Sequence, residues 1–359
     1  MRNTSTRPSG FFSTPKGLAL LSLGIVLVLC LEARAFLVVP MPSGAYPVLS
    51  TAAWAKQGPQ TIYGLPYHWM ANGDVAYLRK NTNSRYQVCY QQMDAHGPVG
   101  LARLGPELPT NSQAGLFFPS PDERWVAISM ADNKNKYRTV LLSADGQTRR
   151  TIGETNETFK GWLSDSRSFL SLCFRPTLGL KIRHLDSPHT EMILGTSPTD
   201  IPEPLFEFAT GPEYQIGSFY NFNQANNGIS QAGTQMTMRS YDVSKPEAAP
   251  KTSQVSVPPG SEYAAGFVSP DGKHLLWIAN TRRRTSGSSW INGLFALRTG
   301  GAIYETRCYI SDLSGNHRRP ILEDIAGHFG EISPVWTPDS KHLSFVFQNQ
   351  LYMVPIEDK

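Results

Sequence analysis

After about residue 66 the chain alternates hydrophobic and polar positions in short runs, and one compact pattern breaks those runs again and again. An aromatic or apolar residue leads into Ser/Thr-Pro-Asp, a small or polar residue follows, then a base, then apolar residues at every second position. Val335-Trp336-Thr337-Pro338-Asp339-Ser340-Lys341-His342-Leu343-Ser344-Phe345 is the clearest copy, and Phe267-Val268-Ser269-Pro270-Asp271-Gly272-Lys273-His274-Leu275-Leu276-Trp277 nearly repeats it. Ser120-Pro121-Asp122-Glu123-Arg124-Trp125 is a third. Trp162-Leu163-Ser164-Asp165-Ser166-Arg167 has lost the proline, and Trp69-Met70-Ala71-Asn72-Gly73-Asp74 is one residue shorter. Proline presets the backbone at the start of a tight turn and aspartate can accept bonds from it, so each copy predicts a hairpin corner between two strands.

The anchors Asn72, Asp122, Asp165, Asp271 and Asp339 are spaced as units of roughly 40–50 residues, with a double-width step between Asp165 and Asp271 that predicts a degenerate unit inside it. Such a repeat of short strands predicts an all-β fold, a single six-bladed β-propeller of four-stranded antiparallel blades. The blades are drawn from Pro66, Leu116, Phe159, Leu205, Tyr263 and Glu331, the fourth being the degenerate one. In the last unit, strands at 332–337, 342–347 and 350–355 leave no outer strand. A segment within residues 45–65 is expected to supply it and close the ring.

The repeat, together with turns such as Met93-Asp94-Ala95-His96-Gly97 and Ala144-Asp145-Gly146, resembles that of TolB-type six-bladed β-propellers from residue 66 onward. The resemblance implies a fold and leaves the activity open, since the same propeller serves binding proteins, peptidases and lyases. No Gly-x-Ser-x-Gly nucleophile elbow occurs in the sequence.

The amino-terminal region reads differently. Residues 1–16 are polar and basic, Gly17–Leu31 is apolar apart from Ser22, and Ala33-Arg34-Ala35 follows. This predicts an N-terminal hydrophobic helix with two readings: a signal peptide cleaved after Ala35, or a membrane tether through residues 17–35. Both place the chain outside the cytoplasm, in the periplasm or cell envelope. The expected domains are 1–35 leader or anchor, 36–65 linker plus ring-closing strand, and 66–359 propeller. Of the net charge of +4, three positive charges lie in residues 1–35 (Arg2, Arg7, Lys16 and Arg34 against Glu32). The remainder is close to neutral and gives no electrostatic case for nucleic acid. Cys89, Cys173 and Cys308 fall on separate blades and no Cys-x-x-Cys occurs, so buried free thiols are expected.

Candidate chemistry is sparse. The corner aspartates Asp122, Asp165, Asp271 and Asp339 read as turn holders, and Trp69, Trp162, Trp277 and Trp336 as packing between blades. His68 and His328 are the one histidine pair placed for a metal, and their spacing does not match a ligand motif, so no metal or cofactor is expected. Two inserts stand out between second and third strands. One is Asn/Gln-rich, 221–233, with Asn223, Asn226 and Asn227. The other, 281–303, opens with Arg282-Arg283-Arg284 and contains Trp290; guanidinium forks suit carboxylates and phosphates. Alternating turns put both inserts on one face of the disc. The expected function is a monomeric, non-catalytic scaffold that holds a protein or glycan partner there. The alternative is a small hydrolase or lyase at the mouth of the central channel.

Overall fold

The computed structural model describes residues 44–55, 67–94, 97–110, 112–131, 137–152, 157–173, 179–187, 190–195, 209–210, 215–220, 235–242, 251–259, 261–282, 304–326, 334–347 and 349–356, with a few isolated positions besides. Apart from Ser22 and Val26, residues 1–41 lie outside the described set, and with them the predicted hydrophobic helix. Among the described residues no helix is long and apolar enough to cross a membrane.

The strands follow the repeat. β1 (Tyr46–Ser50) comes first, then β2 (Tyr67–Trp69), β3 (Val75–Lys80), β4 (Tyr86–Asp94) and β5 (Gly97–Glu107) as one sheet. The second sheet is β6 (Ser112–Pro119), β7 (Trp125–Ala131), β8 (Tyr137–Ser143) and β9 (Arg149–Ile152). The third is β10 (Glu157–Trp162), β11 (Ser168–Cys173), β12 (Gly179–His184) and β13 (Thr190–Gly195). β14 (Ala209–Thr210), β15 (Gln215–Tyr220), β16 (Gln235–Asp242) and β17 (Lys251–Ser256) form the fourth, in the double-width step. The fifth is β18 (Ser261–Val268), β19 (His274–Arg282), β20 (Tyr304–Asp312) and β21 (Arg319–Ala326). The sixth is β22 (Val335–Trp336), β23 (His342–Phe347), β24 (Gln350–Pro355) and, at its outer edge, β1. Every neighbouring pair is antiparallel, and Tyr46 stands opposite Met353 and Ser50 opposite Gln350, the pairing that the missing outer strand required.

Each corner is closed in the same way. In the fifth sheet Ser269 N–H donates to His274 O and Gly272 N–H to Ser269 O, while Asp271 accepts from the Ser269 hydroxyl at 2.6 Å and from Lys273 N–H. Asp122, Asp165 and Asp339 accept equivalent bonds at their own corners. The residue after the aspartate sits at positive φ: Glu123 58°, Ser166 55°, Gly272 72°, Ser340 59°, which is why a small residue is common there. Two corners also reach the preceding sheet. Ser166 accepts from Asp122 N–H at 3.0 Å and Ser340 from Asp271 N–H at 2.9 Å, and both serines are buried.

Between sheets the apolar faces mesh. Met70, Leu78 and Val88 pack on Phe117, Ile128 and Val140; Leu141 packs on Phe159 and Trp162. Val255 and Val257 pack on Trp277, and Leu276 and Ile278 on Trp336 and Phe345. Leu351 of the sixth sheet joins Tyr67, Val75 and Tyr77 of the first. Three of the four repeat tryptophans bond across these seams, while Trp277 donates to Ser311 Oγ within its own sheet at 2.9 Å. Trp162 donates to Phe118 O at 2.8 Å, Trp336 to Phe267 O at 3.1 Å and Trp69 to Ser344 Oγ at 2.7 Å, each on the preceding sheet around the ring. Beyond β1, Trp54 stacks on Tyr77 with centroids 4.8 Å apart and Ala55 N–H donates to Leu78 O. The amino-terminal stretch thus pairs with the sixth sheet and packs into the first.

This is a propeller of four-stranded antiparallel blades. The expected count of six needs one correction. Five sheets show described side chains along their inner strands and are established as blades. The fourth is defined by backbone pairing, with side-chain burial described for its strands only from Ser253. The seam from third to fourth sheet falls on residues 196–208, outside the described set. The physical reason is the degeneracy seen in the sequence: Gly211-Pro212 replaces the Ser/Thr-Pro-Asp corner there.

Candidate functional site

In a four-stranded antiparallel blade the first-to-second and third-to-fourth turns share one end, and the second-to-third turn lies at the other. The aspartate corners therefore occupy one face of the disc. The connections β11–β12, β15–β16 and β19–β20 occupy the opposite face. β19 and β20 run for nine residues each and stay paired up to Arg282 opposite Tyr304, so the fifth-blade insert leaves from the tip of a long hairpin. β15 and β16 stay paired up to Tyr220 opposite Thr237. Of the predicted site residues, Arg282 is placed by its backbone pairing alone. Arg283, Arg284, Trp290, Asn223, Asn226 and Asn227 lie outside the described residues.

A charged cluster that the sequence reading did not single out occupies the insert-side end of the third blade. Glu157 opens β10, is buried, and accepts from Lys181 Nζ at 3.0 Å and from Arg183 Nε at 3.2 Å, with Arg183 Nη2 on its other oxygen. The Ser171 hydroxyl lies 3.4 Å away. Lys181 and Arg183 alternate with the apolar Leu180 and Ile182 along β12, so both bases share one face of the sheet with their cross-strand partners Ser171 and Phe169. That alternation was the available signal. Burial raises the Glu157 pKa, but bonds and charge from Arg183 and Lys181 outweigh it and hold the carboxyl below its ordinary range. An ionised carboxylate saturated by two cations is a poor proton donor at neutral pH, so this cluster has a structural character.

His68, one half of the histidine pair, is not a free ligand. Its ring meets Phe117 edge-on at 4.8 Å and Phe118 at 5.4 Å. Burial pushes its pKa down to about 4 against the opposing pull of a hydrogen bond with the Phe117 backbone. His328 lies outside the described residues. Among the described residues, no group of three or more His, Cys, Asp or Glu could hold a metal ion. Cys89 and Cys308 are buried free thiols whose pKa values burial pushes up to about 11 and about 12. The side chain of Cys173 is outside the described set.

Fold and packing define the chain as a β-propeller protein. No family model and no curated protein matches it. Solved structures resemble it in outline. A TolB-type protein from Agrobacterium tumefaciens is 14% identical, with a TM-score of 0.46 over 82% of this chain and 91% of that one. Oligogalacturonate lyase from Vibrio parahaemolyticus is 10% identical, with a TM-score of 0.49 over 89% and 96%. The β-propeller domain of the Trilobed protease from Pyrococcus furiosus is 14% identical, with a TM-score of 0.43 over 83% and 85%. The assignment to the propellers rests on the pairing and packing described above.

Proposed function

We propose that this chain is an exported, non-catalytic propeller of the cell envelope, six-bladed and of TolB type, that acts as a monomer and holds a protein or glycan on its insert-bearing face. The observation that carries this reading is topological. The β15–β16 and β19–β20 connections leave the same face, and the first is Asn/Gln-rich while the second carries Arg282-Arg283-Arg284 and Trp290. Amide side chains and an indole suit sugar hydroxyls and peptide groups, and a guanidinium cluster suits a carboxylate-bearing partner. On the same side Glu157 is neutralised by its own bases and offers no acid–base group.

The experiment replaces residues 283–303 with a two-residue Asn-Gly turn joining Arg282 to Tyr304, which the register of β19 and β20 accommodates. The variant is expected to unfold at the same denaturant concentration as the parent and to lose recovery of its partner in envelope pull-downs or on a glycan array. Unchanged recovery overturns the reading. Turnover of a polysaccharide or peptide substrate by the parent chain moves the assignment to the channel-mouth enzyme instead.

A further inference from the structure

The corner between β2 and β3 departs from the other described corners in its charges. Asp122, Asp165, Asp271 and Asp339 are each followed two residues on by a base: Arg124, Arg167, Lys273 and Lys341. At the first blade the anchor is the amide Asn72, and the residue two on is the acid Asp74. Asn72 Oδ1 accepts from Asp74 N–H at 3.0 Å, and its Nδ2 donates to Asp74 Oδ2 at 3.1 Å. A carboxylate at position 72 keeps the first bond, loses the second and faces Asp74 with like charge. The amide is what lets this corner carry an acid where the others carry a base.

The same amide is chemically vulnerable. Asn72 is exposed and is followed by Gly73, where an added Cβ would meet nothing within 4 Å. A residue without a side chain, in open space, leaves the approach of its own nitrogen to Asn72 Cγ unhindered. The Asp74 N–H already bonded to Oδ1 is placed to hold the negative charge that forms on that oxygen when Cγ is attacked. We propose that Asn72 is a site of spontaneous deamidation and that its products loosen the first corner. The Gly73 nitrogen gives its proton to water or hydroxide and attacks Asn72 Cγ; Nδ2 takes up a proton and leaves as ammonia, closing a cyclic imide. Water then opens the imide. Attack at the side-chain carbonyl leaves aspartate, and attack at the main-chain carbonyl leaves isoaspartate, whose backbone runs through the side-chain carbons.

The corner matters because it joins two seams. Met70 N–H donates to Asp74 O at 2.8 Å and Gly73 N–H to Met70 O at 2.9 Å. Met70 belongs to the core shared with the second blade, and Trp69 beside it donates to Ser344 Oγ of the sixth. Aspartate at position 72 sets like charges against each other at the tip of this turn, and isoaspartate lengthens the backbone between the two bonded ends. Attack on Cγ must itself break the Gly73 N–H bond to Met70 O. That bond closes a turn whose tip, Ala71-Asn72, is exposed, so local opening of the corner sets the rate in the folded chain.

The test incubates the full chain, folded and in denaturant, in mildly alkaline buffer. Mass spectrometry follows the peptide containing Asn72 for exchange of its amide NH2 for OH, and an isoaspartate-specific methyltransferase gives a second readout. Conversion in the folded chain is expected within about tenfold of the rate in denaturant, and protection beyond that overturns the site. The consequence is read on variants. Asn72→Asp is expected to raise the unfolding constant roughly fivefold at low salt, with part of the loss recovered at high salt. Adding Asp74→Lys recreates the Asp-Gly-Lys sequence of the fifth blade's corner and should return stability at least to that of the parent. An Asn72→Asp chain as stable as the parent overturns the loosening, as does a double variant no more stable than the single one. Both substitutions lie on the corner face, so partner recovery at the insert-bearing face stands or falls separately.

Discussion

At the corner face of the propeller the same few atoms recur from blade to blade. A Ser or Thr hydroxyl donates to an Asp, the Asp accepts a backbone N–H two residues on, and a left-handed residue completes the bend. Two of these corners also bond the neighbouring blade. Among the described residues the insert face shows no such recurring bond set. One connection is the short turn at residues 81–85, two others are long and of unlike composition, and the end of the third blade is held by a buried ion cluster. The contrast separates two jobs. The corners carry ring integrity through many small, redundant bonds, so the opposite face is free to vary. Stability on that side is concentrated in a few expensive interactions.

The largest effect should therefore come from the insert side. Glu157→Ala removes the buried carboxylate that Lys181 and Arg183, whose side chains are 13% and 19% exposed, both bond. The expected loss is about 3–5 kcal/mol in denaturant unfolding, as for other buried pairs broken on one side. Ser171→Ala, at the 3.4 Å edge of the cluster, should cost less than about 1 kcal/mol. Equal costs for the two would mean that the cluster is solvated and that the comparison between faces is wrong.

A pH titration separates the seams between blades from the corners. His68 has a folded pKa of about 4 against an ordinary 6.5, so the unfolded chain takes up a proton that the folded chain refuses. Its contribution is complete above pH 6.5, falls as the pH drops toward 4 and is then exhausted, amounting to at most about 3 kcal/mol. The corner carboxylates act in the opposite sense of charge but the same sense of pH. Burial raises the pKa of Asp122, Asp165, Asp271 and Asp339, but hydrogen bonds from the adjacent Ser or Thr and the following backbone outweigh it and hold them below 3.8. Their stabilisation is present above that pH and is lost below it. His68→Gln should flatten the stability profile between pH 6.5 and 4 and leave the acid limb below 4 in place. A variant that retains the full slope between 6.5 and 4 would assign that slope elsewhere.

Much of this architecture is legible in the sequence because the corners are local. Thr337-Pro338-Asp339-Ser340 specifies its turn within a few residues, so strand starts, the gap left for β1 and the fate of the repeat tryptophans all follow. The fourth blade was legible only as a spacing, since Gly211-Pro212 carries no equivalent local code. The Glu157 cluster was missed for a different reason. It depends on which residues face one another across strands, a matter of register that a run of alternating residues leaves open by one step. Arg282, the one candidate binding residue whose backbone is described, is defined by its pairing with Tyr304; what its guanidinium recognises depends on a partner, which a chain read alone does not specify.

The smallest effect tests whether a corner is held by its bond to the next blade or by the comfort of its own backbone. Ser340 sits at φ +59° and its hydroxyl accepts from Asp271 N–H. Ala removes the hydroxyl and keeps the Cβ that dislikes this conformation, so Ser340→Ala should cost about 1–2 kcal/mol. Gly also loses the bond but relieves the backbone, with part of the gain returned through its freer unfolded state, so Ser340→Gly should cost about 1 kcal/mol less than Ala. At Glu123, also left-handed at φ 58° but at the corner of the second blade and paired with Arg103, Gly should be neutral or slightly stabilising. If Ser340→Ala and Ser340→Gly unfold together while Glu123→Gly gains nothing, backbone strain is absent from the corners. The inter-blade bond then carries the whole effect.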